Sequence, residues 1–133
     1  MSKLIATITN IQKLNNLNIV NFNCLNTNLS MMSLDLGNDI KIGTKVELIV
    51  KATAVILAKK PNDNISISNQ IKMKILQINS GVLLTTIILQ KDDTTLESLV
   101  LTSIYKKLKF KEEDEVIAFI NHSELSISRV LKC

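Results

Sequence analysis

The side chains able to do covalent or metal chemistry are few and scattered. His122 is the only histidine, and Cys24 and Cys133 are the only cysteines. A protein zinc site draws its His, Cys or carboxylate ligands from closely spaced groups. One histidine and two cysteines separated by most of the chain have no such spacing, so no bare metal ion is expected. The same spacing neither requires nor forbids a disulfide between Cys24 and Cys133. Nucleophilic catalysis needs a hydroxyl or thiol beside a base that a third group orients, and no Ser-His-Asp set of that kind stands out. The acidic run Glu112-Glu113-Asp114-Glu115 precedes an apolar stretch and reads as a solvated turn. Three glycines in the whole chain do not make a phosphate-cradling loop. A net charge of +4 suits nucleic acid, an anionic membrane surface or a small anion. The lysine doublets Lys59-Lys60 and Lys106-Lys107 read as solvated loop ends. Binding, not catalysis, is the chemistry this inventory allows.

The elements that must position any binding group are strands. The chain has 133 residues and is 46% hydrophobic, mostly Ile, Leu and Val, with Ser and Thr interspersed and only 3% aromatics. β-Branched side chains fit a pleated surface and lose rotamer freedom in a helix. The N-terminus does not read as a signal peptide, since Thr7, Thr9 and Asn10 interrupt its apolar residues. No apolar run approaches the roughly 20 residues that span a bilayer. A cytoplasmic, soluble chain with no membrane partner is the expectation.

The chain contains a duplication. Val46-Glu-Leu-Ile-Val-Lys51-Ala52-Thr53-Ala-Val55 lines up with Val116-Ile-Ala-Phe-Ile-Asn121-His122-Ser123-Glu-Leu125, and Leu4–Ile11 lines up with Ile71–Ile78. The breaker cluster Pro61-Asn62-Asp63-Asn64 holds the only proline and marks the junction. The copies are placed at residues 1–62 and 63–133. In each, an opening strand is followed by an apolar stretch (Ile19–Leu25; Val82–Leu89) and a polar turn (Asn26–Asn28; Lys91–Asp93). A third strand comes next (Leu29–Leu34; Leu96–Leu101), then a segment of helical character (Asp35–Lys41; Ser103–Lys109), then the aligned strand pair. Ile104 and Leu108, at i and i+4, suit a short amphipathic helix. Short strands with one helical turn per unit predict an all-β fold of two tandem OB-like small β-barrels.

Three stretches resemble the Mop/TOBE family of molybdate-binding domains. The family opens on Ile-Ser-Ala-Arg-Asn-Gln-Leu-Lys-Gly-x-Val. Ile65-Ser66-Ile67-Ser68-Asn69-Gln70-Ile71-Lys72-Met73-Lys74-Ile75 follows that motif, with Ser68 for the Arg and Met73 for the Gly. The family closes on an apolar strand and Ile-Lys-Ala-Ser/Thr-x-Val, and Val50-Lys51-Ala52-Thr53-Ala54-Val55 matches it. Between them the family has Leu-x-Leu-x-x-Gly-x-x-Val, approximated by Ile40-Lys-Ile-Gly43-Thr-Lys-Val46 and by Leu108-Lys-Phe110-Lys-Glu-Glu-Asp-Glu-Val116. The two-copy layout is similar to free-standing tandem members and to the ligand-sensing half of the molybdate-responsive transcription regulator, whose last repeat likewise has Asn at the closing motif and ends near a Cys, as here Asn121 and Cys133.

The resemblance implies a molybdate or tungstate ligand, held where opening and closing motifs meet across subunit or repeat interfaces, for molybdenum storage, buffering or sensing. A homodimer or homotrimer is implied with it. Molybdate is a tetrahedral dianion offering only acceptors, so its site needs only donors. Ser66, Ile67, Ser68 and Asn69 offer hydroxyls, an amide and successive backbone N–H groups. Lys51, Ala52 and Thr53 add an ammonium, a small residue permitting close approach, and a hydroxyl. A hydroxyl at the end of the third strand contributes in the family, and Ser33 and Thr102 are the matching positions. Asn121, His122 and Ser123 form a second closing motif that has lost its Lys. The first copy lacks most of the opening motif, because the chain begins at Met1-Ser2-Lys3-Leu4. One complete site, from the second opening motif and the first closing motif, is therefore expected.

The alternative is an OB-like nucleic-acid-binding module. Such surfaces grip single strands with aromatic stacking platforms. Phe22, Tyr105, Phe110 and Phe119 lie within apolar patterns and read as core, as does Cys24, which argues against nucleic acid as a partner. His122 reads as exposed, and an enzyme is not expected.

Overall fold

A computed structural model describes residues 1–131; Cys133, and any disulfide through it, lies outside them. Ten strands, β1 (Ser2–Leu14), β2 (Leu17–Cys24), β3 (Thr27–Ser33), β4 (Lys45–Val50), β5 (Ile56–Ala58), β6 (Gln70–Ser80), β7 (Leu84–Lys91), β8 (Thr94–Leu101), β9 (Glu115–Phe119) and β10 (Ser126–Val130), accompany one helix, α1 (Thr102–Leu108). Short 3₁₀ turns occupy Ala52–Ala54 and His122–Glu124. The fold is all-β, as two OB-like half-barrels.

Alternation dictates most strands. In β2 and β7 every second residue is buried, placing Val20 and Phe22, or Ile87 and Leu89, on the inner face. Hairpins fold where short polar turns accept positive φ: Asn15 (56°), Leu25 and Asn26 (52° and 60°), and Asp92 (53°). The opening strands are long because each is used twice. The early part of β1 pairs with β4, its later part with β2, and a bulge between Ile8 and Asn10 bends the strand at the changeover. β6 does the same between Ile75 and Gln77. The register relates Ser2 to Asn69 and Lys51 to Asn121.

Strand order departs from the linear repeat. The sheets run β10-β4-β1-β2-β3 and β5-β9-β6-β7-β8. Each copy sends its final short strand into the other copy's sheet: β5 pairs with β9 and β10 with β4. Segments 1–62 and 63–133 are thus not coextensive with the two sheets. The buried residues of both copies, among them Leu4, Ile8, Phe22, Leu48, Ile71, Ile87 and Leu89, form one contiguous core. Phe110 and Cys24 are buried in it and Tyr105 packs against it, as their patterns predict, whereas Phe119 is buried outside that cluster.

The predicted helical segment of the first copy is not a helix. Residues 35–44 form turns, whereas the second copy has α1. Asp35-Leu36-Gly37-Asn38-Asp39 combines glycine with short polar side chains that compete for the backbone, and these are poor helix formers. Ser103-Ile-Tyr-Lys-Lys-Leu108 contains neither glycine nor a run of such residues. The following turns match again: Gly43, at φ +90°, donates its N–H to the Ile8 carbonyl, and Glu113, at φ +76°, donates to the Ile75 carbonyl. No helix among the described residues is long and apolar enough to cross a membrane.

Candidate functional site

β4 ends at Val50, and Lys51 (φ −76°, ψ 145°) turns the chain into the Ala52–Ala54 turn. Asn121 (φ −64°, ψ 146°) does the same after β9. These matching dihedrals place the two closing motifs in equivalent positions. Because β10 crosses to β4, with Ser126 opposite Ile49, the second closing turn is brought beside the first closing motif. A small cleft of about 170 Å³ results, lined by Met1, Val50, Lys51, Ser123, Glu124 and Ser126 among others. Lys51 and Ser123 are exposed in it. Lys51, Ser123 and Ser126 thus line one small cleft, with Glu124 as its acidic member. Ser126 was not foreseen from sequence, because only the strand exchange carries it there.

The second opening motif goes elsewhere. Ser66, Ile67 and Ser68 line an open cleft of about 660 Å³ with Asn62 and Gln70. The segment is braced by Gln70, whose side-chain amide donates to the carbonyls of Asn62 (2.7 Å) and Ile67 (2.9 Å). Both serines are exposed. No residue of 66–69 lines the Lys51 cleft. The reason is register: β4 pairs with β1, whereas β6 pairs with β9, and Ile120 donates to the Asn69 carbonyl at 3.1 Å. The second opening motif therefore runs beside Asn121, not Lys51. Within one chain the single site expected from these two motifs is not assembled.

Three of the expected donors are engaged in framework bonds. Asn69 is only 1% exposed. Its Oδ1 accepts from the Ser30 N–H (2.7 Å) and its Nδ2 donates to the Ser30 carbonyl (2.8 Å). This clamp ties β6 to the free edge of β3. Its counterpart is Ser2, whose hydroxyl accepts from the Glu97 N–H on β8 at 2.8 Å. Thr102 is buried, donating to the Gly81 carbonyl and bonding the Thr85 hydroxyl, each at 2.9 Å. Ser33 donates to the Asp35 carbonyl at 2.9 Å in a local turn. Nor are Ser33 and Thr102 equivalent: Ser33 lies opposite Asn18, while Thr102 begins α1 just past the end of β8. Ala52 and Asn121 are half-buried, and Thr53 and His122 exposed.

Electrostatic perturbation lies away from these clefts. The Ser128 hydroxyl, 2.7 Å from Glu47, holds that carboxyl below its ordinary range; burial opposes the shift, and Arg129 and Lys3 reinforce it. Burial pushes the Cys24 thiol up to about 11, with Lys91 opposing. Among the described residues no group of three His, Cys, Asp or Glu is placed to hold a metal ion.

The fold is similar to that of ModG. That cytoplasmic molybdate-binding protein, in a crystal form with molybdate bound, aligns with a TM-score of 0.86 over 94% of this chain and 93% of its own. Sequence identity is 18%, so the likeness to ModG is one of fold. It nonetheless extends over nearly all of both chains. No protein-family model matches the sequence, and no curated protein matches it.

Proposed function

We propose that this chain binds molybdate or tungstate and serves molybdenum storage, buffering or sensing in the cytoplasm, without enzymatic activity. The observation that carries the reading is the convergence of Lys51 with Ser123 and Ser126 in one small cleft. The fold it shares with ModG, which binds molybdate, supports it. So does the resemblance of Ser66–Ile75 and Val50–Val55 to the Mop/TOBE motifs. Each hydrogen bond to a charged partner contributes roughly 1.5–3 kcal/mol, so a few donors in a partly desolvated cleft hold a dianion.

The exposed Ser66 and Ser68, with the half-buried Ile67 between them, complete a site only if a second subunit brings them to a Lys51 cleft. The functional unit is therefore a homo-oligomer, in which residues 1–62 and 63–133 are the units of duplication and not independent binding domains. Phosphate near neutral pH carries a proton, and in a cleft whose one acidic member is Glu124 that proton has few acceptors, at a cost of roughly 1–3 kcal/mol where it stays unpaired. Calorimetric titration with molybdate, tungstate, sulfate and phosphate is the test. Tight binding of the first two and weak binding of phosphate is expected; equal affinity for phosphate would refute the reading.

A further inference from the structure

The two closing turns share a backbone and differ in charge. The Ala54 N–H donates to the Lys51 carbonyl and the Glu124 N–H to the Asn121 carbonyl, both at 2.9 Å. Ala54 and Glu124 are therefore equivalent, as are Lys51 and Asn121. Strand exchange treats both copies alike, with Ser126 opposite Ile49 and Ile56 opposite Phe119. Two equivalent junctions result. One gathers Lys51 with Ser123, Glu124 and Ser126. The other, by register, sets Asn121 beside Thr53, Ala54 and Ile56, and none of these four side chains ionises. Lysine and glutamate thus occur together at one junction and are both missing from the other.

The fold does not require the glutamate. Glu124 is exposed, and the same turn is built with alanine at position 54. Its place is nonetheless fixed, because the buried Leu125 follows it and Ser126 is held in β10 against β4. Glu124 accordingly lines the cleft of about 170 Å³ together with Lys51. The ion pairs among the described residues are Lys72–Glu115, Lys74–Glu113 and Arg129–Glu47, and neither Lys51 nor Glu124 is in one. Few other charged groups surround the turn. Met1 lines the same cleft, and His122 is exposed on the same turn as Glu124. β4 carries Lys45 and Glu47; Lys3 on β1 and Arg129 on β10 both act on Glu47. β3, which packs against the turn, has no ionisable side chain.

An ionised Glu124 and a bound dianion would share one small cleft. Like charges held that close favour the neutral form of a titratable group. A proton taken from solvent onto the Glu124 carboxylate removes its negative charge and makes it an O–H donor, while Lys51 remains an ammonium. We propose that the Lys51 cleft is proton-coupled, each oxyanion entering with one proton that is placed on Glu124. The coupling presupposes the oxyanion reading and adds its regulation: if the anion favours protonation, protonation favours the anion by the same factor. The cleft then fills as pH falls and empties as pH rises.

Calorimetric titration of the full chain with molybdate, between about pH 6 and pH 8, reads the affinity. Repeating it in two buffers of different protonation enthalpy gives the protons taken up per anion. Wild type is expected to take up about half a proton or more near pH 6, and its affinity to fall by up to about tenfold per pH unit above that. Glu124→Ala, which matches Ala54 in the equivalent turn, and Glu124→Gln should each bind molybdate about tenfold or more tightly near pH 8 and take up no proton. Melting curves establish that both variants fold. No molybdate binding at any pH would refute the oxyanion reading itself. Three results would overturn the proton coupling alone: wild-type binding without proton uptake, variants that bind no more tightly near pH 8, or uptake that survives Glu124→Ala and so belongs to His122 or the Met1 amine.

Discussion

Replacing Asn69 with alanine distinguishes a structural clamp from a ligand donor. Its amide spans the Ser30 N–H and carbonyl at 2.7 and 2.8 Å, and it is almost wholly buried. Truncation frees one donor and one acceptor on β3 and opens a small void where the amide sat. A buried polar group left unsatisfied costs roughly 1–3 kcal/mol. Ser30 is half-buried, so water can reach the freed groups and the lower end of that range applies to each. The expected loss is about 2 kcal/mol, equivalent to a fall in Tm of roughly 5–8 °C for a chain of this size. Ser2→Ala, which frees only the Glu97 N–H, should cost about half as much. Urea unfolding of wild type and both variants, with oxyanion titration of each folded protein, makes the comparison. If Asn69→Ala leaves stability within about 0.5 kcal/mol of wild type while lowering oxyanion affinity, the clamp reasoning is wrong and Asn69 belongs to the ligand.

Other variants probe the site and the frame. Lys51→Ala and Ser123→Ala should each weaken molybdate binding about tenfold or more, the worth of one charged hydrogen bond, and Asn121→Ala less; calorimetry showing the reverse order would move the site from the Lys51 cleft to Asn121. Glu113→Gly should stabilise the protein by about 1 kcal/mol in urea unfolding. A non-glycine residue at positive φ costs roughly 1–2 kcal/mol, and the exposed Glu113–Lys74 pair lost with it contributes little. Glu47 has a folded pKa below its ordinary 4.5, so its contribution is present above that value and lost as pH falls through the folded pKa. Glu47→Gln should therefore flatten the acid limb of stability against pH. The Cys24 thiol, pushed up to about 11, should resist alkylation at pH 8 in the folded protein and react readily in urea, read by mass spectrometry in a Cys133→Ser background.

Much of the fold is legible in the sequence because it is local. Period-two burial in β2 and β7, the hairpin turns, and the alignment of Lys51 with Asn121 all follow from residues close together in the chain. Gly43 sits in the motif where the backbone needs positive φ, and Glu113 shows that the second copy adopts that conformation without the glycine. Even the failed helix at residues 35–44 has a local cause in Gly37 and its Asp and Asn neighbours.

What the sequence leaves open is which of two near-identical partners each segment meets. β5 and β10 carry similar short alternating patterns, and β4 and β9 offer similar edges, so pairing within a copy and pairing between copies read alike. Tertiary structure decides for exchange, through the closing turns that carry each last strand across to the other sheet. That choice brings Ser123 and Ser126 to Lys51, while the pairing of β6 with β9 keeps Ser66 and Ser68 away. It also decides which donors are free. Asn69, Thr102 and Ser33 have the right chemistry for an anion, but they are bonded to other groups of the fold, which for Asn69 and Thr102 lie far away in sequence. A residue type states what a group can bond; only the packed chain determines what it does bond.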